Sequence, residues 1–504
     1  MSRRNPRDGS VLDAVEPTPA DELPAMVARA RAAQAKFAKE SLERRAAIVR
    51  AFARALLQRG DTLRDRICEE TGKPEAEAWL HEIVPIADLR DYWCGDGLEH
   101  LSATEPYLSS LSYPGKRALI ERVPRGVVGL IAPWNFPLAL PLRTIFPALV
   151  AGNAVILKPS EVTPGVGTAI GAAAKGVLPD DLLQVAVGDG AIGEALIAAE
   201  PDAVVFTGSV PTGKRVAAQA AEALIPVGLE LGGKDAALVL DDAPLERAAR
   251  GIVWAGFANA GQNCAAVERV YVVESVAKEF RRRVSELSKE LRLGPDVGPL
   301  ATEAQRDTVR AQLEEADGAE VLAGGTEPER DGFWHAPTVV VSEPNDIALL
   351  REETFGPVLT IVEVADEAEA IARANESRYG LTASVWTRSV RRGKAVGRQL
   401  AAGVVTINDH AFSGAVPSLP WSGVKASGSG ITNSPATLDL LTRPRALVVD
   451  GRRFAKREVW WFPYTDGLVD VGRHMATLRG GGSPLERVRA FFGLVGAFLR
   501  RWRV

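Results

Sequence analysis

The sequence predicts an α/β protein with two doubly wound domains of mainly parallel sheet and a smaller β element. Short β-like runs alternate with helical stretches, a pattern typical of parallel, doubly wound sheets. The alternation occurs twice along the chain. At 504 residues the chain is also too long for one simple core, which favours two or three domains.

Helices are expected before the first strand. Residues 21–78 are rich in Ala, Arg and Glu, and Ile48, Phe52 and Leu56 recur at helical spacing. Such an apolar stripe predicts helices that pack on another part of the chain.

Two series of strands follow. The first is expected at 126–131, 154–157, 183–187 and 203–206. The second is expected at 236–240, 269–273, 358–362 and 404–407, with a helix at 276–291. We assign residues 1–105 and 125–232 to a cofactor domain and 233–425 to a catalytic domain.

Two strand-like segments lie outside this pattern. Residues 106–124 interrupt the first series, and residues 426–449 follow the second. We expect them to form a bridging element that reaches a partner subunit. Residues 450–504 form a C-terminal extension.

Composition excludes several functional classes. A net charge of −4 gives no global basic field for nucleic acid, and no apolar run reaches the length of a membrane span. The N-terminal residues lack the apolar stretch of a signal peptide. Three cysteines form no complete disulfide framework, so a reduced, cytoplasmic protein is expected. The five histidines show no metal-ligand spacing, and we predict no metal.

Cys264 and Glu230 are the most informative residues. Cys264 ends the segment Asn259-Ala-Gly-Gln-Asn-Cys264, whose small polar residues suit a loop that approaches a ligand. Glu230 lies upstream in Leu-Glu230-Leu-Gly-Gly-Lys234. A thiol and a carboxylate in such surroundings predict covalent catalysis. The alternatives are a buried structural thiol and a carboxylate paired with Lys234.

A turn after the fourth predicted strand indicates a phosphate site. Gly208, Ser209 and Gly213 bracket the start of a helix expected near Pro211. Helix N-termini offer free N–H groups and a positive dipole to a pyrophosphate. The spacing is not that of the dinucleotide fingerprint, and a simple capped turn is the alternative.

Lys158 and Glu161 follow the second predicted strand, where open α/β sheets bind ligands. Lys158 suits ribose or phosphate, and Glu161 suits the hydroxyls of the adenosine ribose. Because a carboxylate repels a 2′-phosphate, Glu161 favours NAD, with NADP as the alternative cofactor. A solvated loop is the other interpretation of this motif.

Seven motifs in order resemble the aldehyde dehydrogenase superfamily over residues 21–449. They are Pro133-Trp-Asn-Phe-Pro137, Lys158-Pro-Ser-Glu161, Phe206-Thr-Gly-Ser209, Glu230-Leu-Gly-Gly-Lys234, Gly261-Gln-Asn-Cys264, Glu353-Thr-Phe-Gly-Pro357 and Pro420-Trp-Ser-Gly-Val-Lys425. The resemblance implies a homodimer or homotetramer that oxidises a small-molecule aldehyde to a carboxylic acid with NAD(P).

The resemblance also implies individual roles. Cys264 is expected as the nucleophile, Glu230 as the general base and Asn135 as an oxyanion donor. Expected cofactor contacts are Trp134, Lys158, Glu161, Gly188, Gly208, Ser209, Gly213, Glu353 and Phe355. Phe136 and Arg143 are expected near the substrate. CoA-acylating relatives usually lack the carboxylate, so Glu230 favours hydrolysis of the thioester.

Two features point to different substrates. Arg143 occupies the position where succinate-semialdehyde dehydrogenases place an arginine, which predicts a carboxylate anchor. Their second arginine, six positions before the cysteine, is Ala258 here, so the alternative for Arg143 is an ion pair with a structural acid. Residues 483–504 predict a capped basic helix with Val488, Phe491, Phe492, Val495, Phe498, Leu499 and Trp502 on one face.

This helix suits peripheral contact with an anionic membrane, as in some fatty-aldehyde dehydrogenases with C-terminal tails. Packing on the protein itself is the alternative. An inactive scaffold of the same fold is the rival to an enzyme.

Overall fold

The computed structural model describes residues 3–110, 112–316, 318–343, 347–410, 412–452, 458 and 460–503, with side chains to residue 497. The strands are β1 Arg3–Arg4, β2 Val11–Leu12, β3 Lys116–Pro124, β4 Val127–Ile131, β5 Ala154–Lys158, β6 Leu183–Val185, β7 Ala203–Thr207, β8 Val227–Glu230, β9 Asp235–Val239, β10 Val267–Val273, β11 Glu320–Ala323, β12 Thr338–Val341, β13 Val358–Val364, β14 Thr382–Trp386, β15 Val404–Ile407, β16 Trp421–Ser422, β17 Ile431–Thr432 and β18 Thr442–Asp450.

The α-helices are α1 Leu23–Phe37, α2 Leu42–Leu57, α3 Gly60–Thr71, α4 Glu75–Glu77, α5 Pro85–Trp93, α6 Ala139–Ala151, α7 Pro164–Ala174, α8 Gly190–Ala198, α9 Val210–Glu222, α10 Leu245–Phe257, α11 Glu274–Glu290, α12 Glu303–Glu315, α13 Ala348–Arg351, α14 Glu367–Asn375, α15 Val390–Gly397, α16 Leu438–Leu441, α17 Asp466–Ala476 and α18 Pro484–Arg503. Between α4 and α5 the residues Ala78–Ile83 form a π-helical stretch.

The first sheet has five strands in the order β6-β5-β4-β7-β8, all parallel. Every residue of β4 and β5 is buried, as expected for strands covered on both faces by helices. The four strands predicted for this series are confirmed within two residues at each end. Because the strands are parallel, Lys158, Thr207 and Glu230 end their strands at the same edge of the sheet.

The second sheet has seven strands in the order β11-β12-β13-β10-β9-β14-β15. Only its edge strand β11 runs antiparallel, so the predicted doubly wound α/β class is confirmed. The prediction missed β11, β12 and β14. The short runs of β12 and β14 are buried throughout or nearly so, and they lack the alternation that marks a half-exposed strand.

Residues 103–121 and 446–504 form a second compact unit. The strand-like character predicted for 106–124 and 426–449 corresponds to β3 and β18, which pair in a two-stranded sheet. The division of the chain into cofactor, catalytic and bridging parts remains a prediction. Within the described ranges, no helix is both long enough and apolar enough to cross a membrane.

Candidate active site

A cavity of about 680 Å³ opens at the carboxyl edge of the first sheet. Its volume falls in the usual range for small-molecule and cofactor sites. Ten residues predicted from the sequence line it: Trp134, Asn135, Lys158, Glu161, Gly208, Ser209, Glu230, Cys264, Glu353 and Phe355. The cavity therefore brings together residues that are up to 221 positions apart in the chain, as between Trp134 and Phe355.

Four predicted residues do not line the cavity. Gly188 is next to Asp189, and Asp189 lines the cavity. A Cβ atom at Gly213 would lie 2.5 Å from the Leu231 side chain, so this glycine lets α9 pack closely. The other two, Phe136 and Arg143, lie beside residues of the site and are described below.

The loop before Cys264 has an unusual backbone. Asn259, Ala260 and Gly261 are consecutive left-handed residues, with φ of 55°, 54° and 71°. A Cβ atom at Gly261 would lie 2.1 Å from the Gly356 carbonyl oxygen, so only glycine fits. Each non-glycine residue costs about 1–2 kcal/mol in this conformation. Strain of this kind is typical of functional loops held by their surroundings.

Cys264 lies partly exposed in the cavity wall, against Trp421 and Ala265. Burial raises the pKa of its thiol well above the ordinary value. The nearby charges of Asp235 and Glu353 raise this pKa further, and the Arg143 guanidinium lowers it. Burial therefore disfavours the thiolate, which is the form of the thiol that attacks an aldehyde.

The other two cysteines differ from Cys264. Cys94 is buried and Cys68 is half-buried, and burial raises the pKa of both thiols. Neither lines the cavity. These positions are typical of structural cysteines.

Glu230 ends β8 and is almost completely buried. Among the described residues, neither of its carboxylate oxygens has a hydrogen-bond partner. Burial raises the pKa of Glu230 well above the ordinary value, and Arg143 partly opposes this. Lys234 pairs with Glu268 instead, so the structural alternative for Glu230 does not apply. A buried carboxylate of raised pKa is suited to general-base catalysis.

Asn135 is 4% exposed, and its carboxamide reaches the cavity. Its Nδ2 donates one hydrogen bond to the Gln262 carbonyl oxygen at 3.1 Å. The second N–H of this nitrogen is left for a ligand. Asn135 is thereby tied directly to the loop that carries Cys264.

The turn that is predicted to bind phosphate has the expected local structure. Helix α9 begins at Val210, one residue before the predicted start, and Ser209 is its N-cap residue. The Ser209 side chain bonds that of Thr212 at 3.1 Å and leaves the backbone N–H groups of the first turn uncapped. Thr212 and Arg215 also line the cavity. The sequence analysis missed both, although they lie three residues apart on one helix face.

Lys158 and Glu161 form an ion pair at 3.2 Å beside this turn. The Lys158 side chain is 4% exposed, whereas that of Glu161 is 49% exposed. Glu161 is therefore free to turn towards a ligand in the cavity, while Lys158 is fixed.

A buried network holds the loop of Glu353 and Phe355. Glu268 accepts hydrogen bonds from the N–H groups of Thr354 and Phe355 at 2.8 and 3.0 Å. Glu353 accepts one from the Gly233 N–H at 3.1 Å, and burial raises its pKa to about 8. The sequence analysis missed Glu268, because its partners lie 86 and 87 residues away.

Arg143 lies on α6 with its guanidinium 6.0 Å from the centre of the Trp421 ring. Burial lowers its pKa, and the charges of Cys264 and Glu230 raise it, so all three groups lie close together. In the described part of the chain, Arg143 makes no hydrogen bond or ion pair with a side chain. In the same part of the chain, no group of three or more side chains has the arrangement of a metal site.

Comparisons with known proteins identify the family of this chain. The family described as "Aldehyde dehydrogenase family" matches residues 1–447. A 4,4'-diapolycopene aldehyde oxidase from Methylomonas sp is 40% identical over 84% of this chain and 82% of its own length. A putative succinate-semialdehyde dehydrogenase [NADP(+)] 2 from Mycobacterium tuberculosis is 36% identical over 85% of both chains.

Among solved structures, PnpE of Pseudomonas sp. WBC-3 in complex with nicotinamide adenine dinucleotide is similar with a TM-score of 0.86. The match is 31% identical and covers 91% of this chain and 95% of that one. The range of the family match, residues 1–447, includes both sheets and the residues that line the cavity. The protein is an NAD(P)-dependent oxidoreductase acting on aldehydes, and the chain belongs to the aldehyde dehydrogenase family.

Proposed function

We propose that Cys264 attacks the aldehyde carbon and that Glu230 activates the water that releases the acid. The oxyanion formed by the attack needs donors, and the free N–H of Asn135 and the backbone N–H of Cys264 are suited to this role. NAD(P) held by Lys158, Ser209 and Glu353 would supply the hydride acceptor for the step that converts the adduct on Cys264 into a thioester. The thioester that remains on Cys264 is then hydrolysed.

One observation supports this proposal above all. Cys264, Glu230 and Asn135 line the same cavity as Lys158, Ser209 and the other residues expected at the cofactor. Nucleophile, base and oxyanion donor therefore share one space with a helix N-terminus suited to a pyrophosphate.

We propose that NAD is preferred over NADP because Glu161 lies where a 2′-phosphate would approach. Repulsion between them amounts to roughly 1–2 kcal/mol, so Glu161→Gln should raise the NADP/NAD ratio of kcat/KM about tenfold. Asp180→Asn removes an exposed acid outside the cavity and should leave the ratio unchanged. An unchanged ratio in Glu161→Gln would place the carboxylate away from the ribose.

The substrate that best fits the site carries a carboxylate distant from the aldehyde group. Arg143 supports this, because its guanidinium lies near Cys264 and Glu230 without a partner of its own among the described side chains. A desolvated cation gains most from an anionic ligand. The mycobacterial relative named for succinate semialdehyde is consistent with this assignment.

Arg143→Gln should lower kcat/KM for succinic semialdehyde roughly 10²-fold more than that for hexanal, which has no carboxylate. Arg143→Lys should recover only part of the loss, because it lacks the planar two-pronged donor. Equal losses with both aldehydes would assign Arg143 to the catalytic step or to structure instead of the carboxylate.

A second candidate substrate is a long apolar aldehyde held in a membrane. In the second unit, α18 packs on α17 through Ala490, Leu494 and Ala497. Its larger apolar residues Val488, Phe491, Phe492 and Val495 are exposed instead. The predicted apolar face of α18 is therefore exposed to solvent, and α18 packs on α17 through its opposite face. Phe498, Leu499 and Trp502 have side chains outside the described residues.

The positive charge of α18 and the exposed aromatic residues in the same unit favour a lipid surface as the partner of its exposed apolar face. Residues 484–503 contain five arginines and one glutamate, although the whole chain has a charge of −4. Trp461, Phe462 and Tyr464 add exposed aromatic surface in the same unit. Basic helices with exposed aromatic residues are typical of membrane-surface anchors.

Flotation with vesicles containing phosphatidylserine tests this candidate. Full-length wild-type protein should float, and Phe491→Glu/Phe492→Glu should not, with unchanged rates on short aldehydes. Leu224→Glu, which adds charge at an 89% exposed position of the first unit, is the matched control. A wild-type protein that stays at the bottom would remove the membrane hypothesis.

The proposed quaternary state is a homodimer or homotetramer. Strand β18 supports it, since Leu447, Val448 and Val449 are exposed in the isolated chain. Apolar edge residues of this kind are commonly covered by another chain. Light scattering of the purified protein would refute the proposal if it gave the monomer mass of 53.8 kDa.

A further inference from the structure

A fully buried ion pair lies next to the proposed oxyanion donor and has no part in the chemistry described above. The Lys73 Nζ and Glu82 Oε1 atoms are 2.7 Å apart, and both side chains are 0% exposed. Removing two charges from water is costly, so such a pair often adds little net stability. Its retention calls for another explanation.

Among the described residues, the other side-chain hydrogen bonds of this pair go to one short segment. Lys73 donates to the Asn135 carbonyl oxygen at 2.9 Å. Glu82 Oε2 accepts from the N–H groups of Leu138 and Ala139 at 3.1 and 2.9 Å. The pair therefore forms hydrogen bonds at both ends of residues 135–139. The Lys73 Nζ atom also lies 4.2 Å from the centre of the Phe136 ring.

The backbone around Glu82 is adapted to this contact. Glu82 belongs to the π-helical stretch Ala78–Ile83, where the Val84 N–H bonds the Trp79 carbonyl oxygen. Such stretches are frequent at functional sites. Glu82 also binds the first N–H groups of α6, whose own N-cap residue Leu138 makes no side-chain cap.

The same carbonyl oxygen of Asn135 has a second donor from the nucleophile loop. Asn259 Nδ2 bonds both the Asn135 and the Gln262 carbonyl oxygens, at 3.0 and 2.9 Å. Glu77 in turn accepts from the Asn259 N–H at 2.9 Å. Asn135 is thus fixed between the ion pair on one side and the loop of Cys264 on the other.

We propose that Lys73 and Glu82 are positioning residues that hold the Asn135 carboxamide at the distance and angle needed for the oxyanion. This inference rests on the proposed role of Asn135. A donor aimed in advance at the developing charge is worth much more than one that must reorient. The ion pair thus acts on the rate through Asn135 and touches neither substrate nor cofactor.

A double-mutant cycle on kcat tests the inference in the full-length protein. Asn135→Ala should lower kcat roughly 10²–10³-fold, and Lys73→Met should lower it by about 10²-fold with unchanged NAD affinity. The double variant should be no slower than Asn135→Ala alone, because the ion pair has nothing left to position. Glu82→Gln keeps the shape of the side chain, and it replaces Lys73→Met in the double-mutant cycle if the Lys73→Met protein does not fold.

The buried pair of Arg3 and Glu70 is the matched control. Glu70 binds the first N–H groups of α7, at Gly165 and Val166, as Glu82 does for α6. Any loss of kcat in Arg3→Met should multiply with that of Asn135→Ala. Losses that also multiply for Lys73→Met would overturn the inference and leave the proposed function intact. Wild-type kcat in Asn135→Ala would overturn both.

Discussion

Cys264→Ala protein will fold, bind NAD and form no NADH with any aldehyde. The alanine removes the atom that forms the bond to the aldehyde carbon, so hydride transfer has no covalent intermediate to start from. Loss of a nucleophile typically lowers kcat by several orders of magnitude, and we expect a loss of roughly 10⁴-fold or more. The loss is measured as the initial rate at which absorbance at 340 nm increases as NADH forms.

Cys68→Ala is the control for this experiment. Its thiol is half-buried outside the cavity, and the variant should keep the full rate. Mass spectrometry of wild-type protein incubated with aldehyde and NAD should find the acyl group on Cys264 alone. A wild-type rate in Cys264→Ala would favour the inactive-scaffold hypothesis or another nucleophile.

The residues that local sequence could predict are those at the ends of strands. Lys158, Thr207 and Glu230 end the parallel strands β5, β7 and β8 of one sheet. The convergence of Lys158 and Thr207 follows from the predicted alternation of strands and helices, whereas β8 was not predicted. Cys264 was predicted because its loop is small and polar. The structure adds the reason for this composition, since Gly261 passes within contact of Gly356.

The parts that sequence did not predict depend on contacts between distant segments. Lys73 lies 62 residues from Asn135, and nothing in either local pattern links them. The same holds for Glu268 and the loop of Phe355. Helix α18 shows a different limit of prediction from sequence. Its apolar stripe predicts that this face is the packed one, but small residues on the opposite face contact α17.

Glu230→Gln should separate the two halves of the reaction. Cys264 keeps its position, so aldehyde and NAD should still give a rapid burst of one NADH per subunit. Hydrolysis of the thioester then lacks its base, and the steady rate should fall by roughly 10²–10⁴-fold. A stopped-flow trace measures burst and steady phase together. An added small thiol should restore turnover, because it releases the acyl group without activated water.

The pH dependence follows from the raised pKa of Glu230. The carboxylate form that acts as base increases as pH rises through this pKa, so the steady rate of the wild type should keep increasing with pH beyond the range in which an ordinary glutamate ionises. Glu230→Gln should lack this increase. Steady turnover at the wild-type rate, without a burst, would show that another group activates the water.

The stability of the wild-type fold should decrease over the pH range in which the steady rate increases. A carboxyl whose pKa is higher in the folded than in the unfolded protein stabilises the fold while it is protonated, and this contribution is lost as pH rises from the ordinary glutamate pKa to the raised one. Glutamine never takes the buried charge. The Tm of Glu230→Gln relative to wild type should therefore rise with pH over this interval, while catalysis by the wild type rises with it. A buried carboxylate that weakens the fold in the form that the reaction needs is expected of a catalytic base and not of a structural residue.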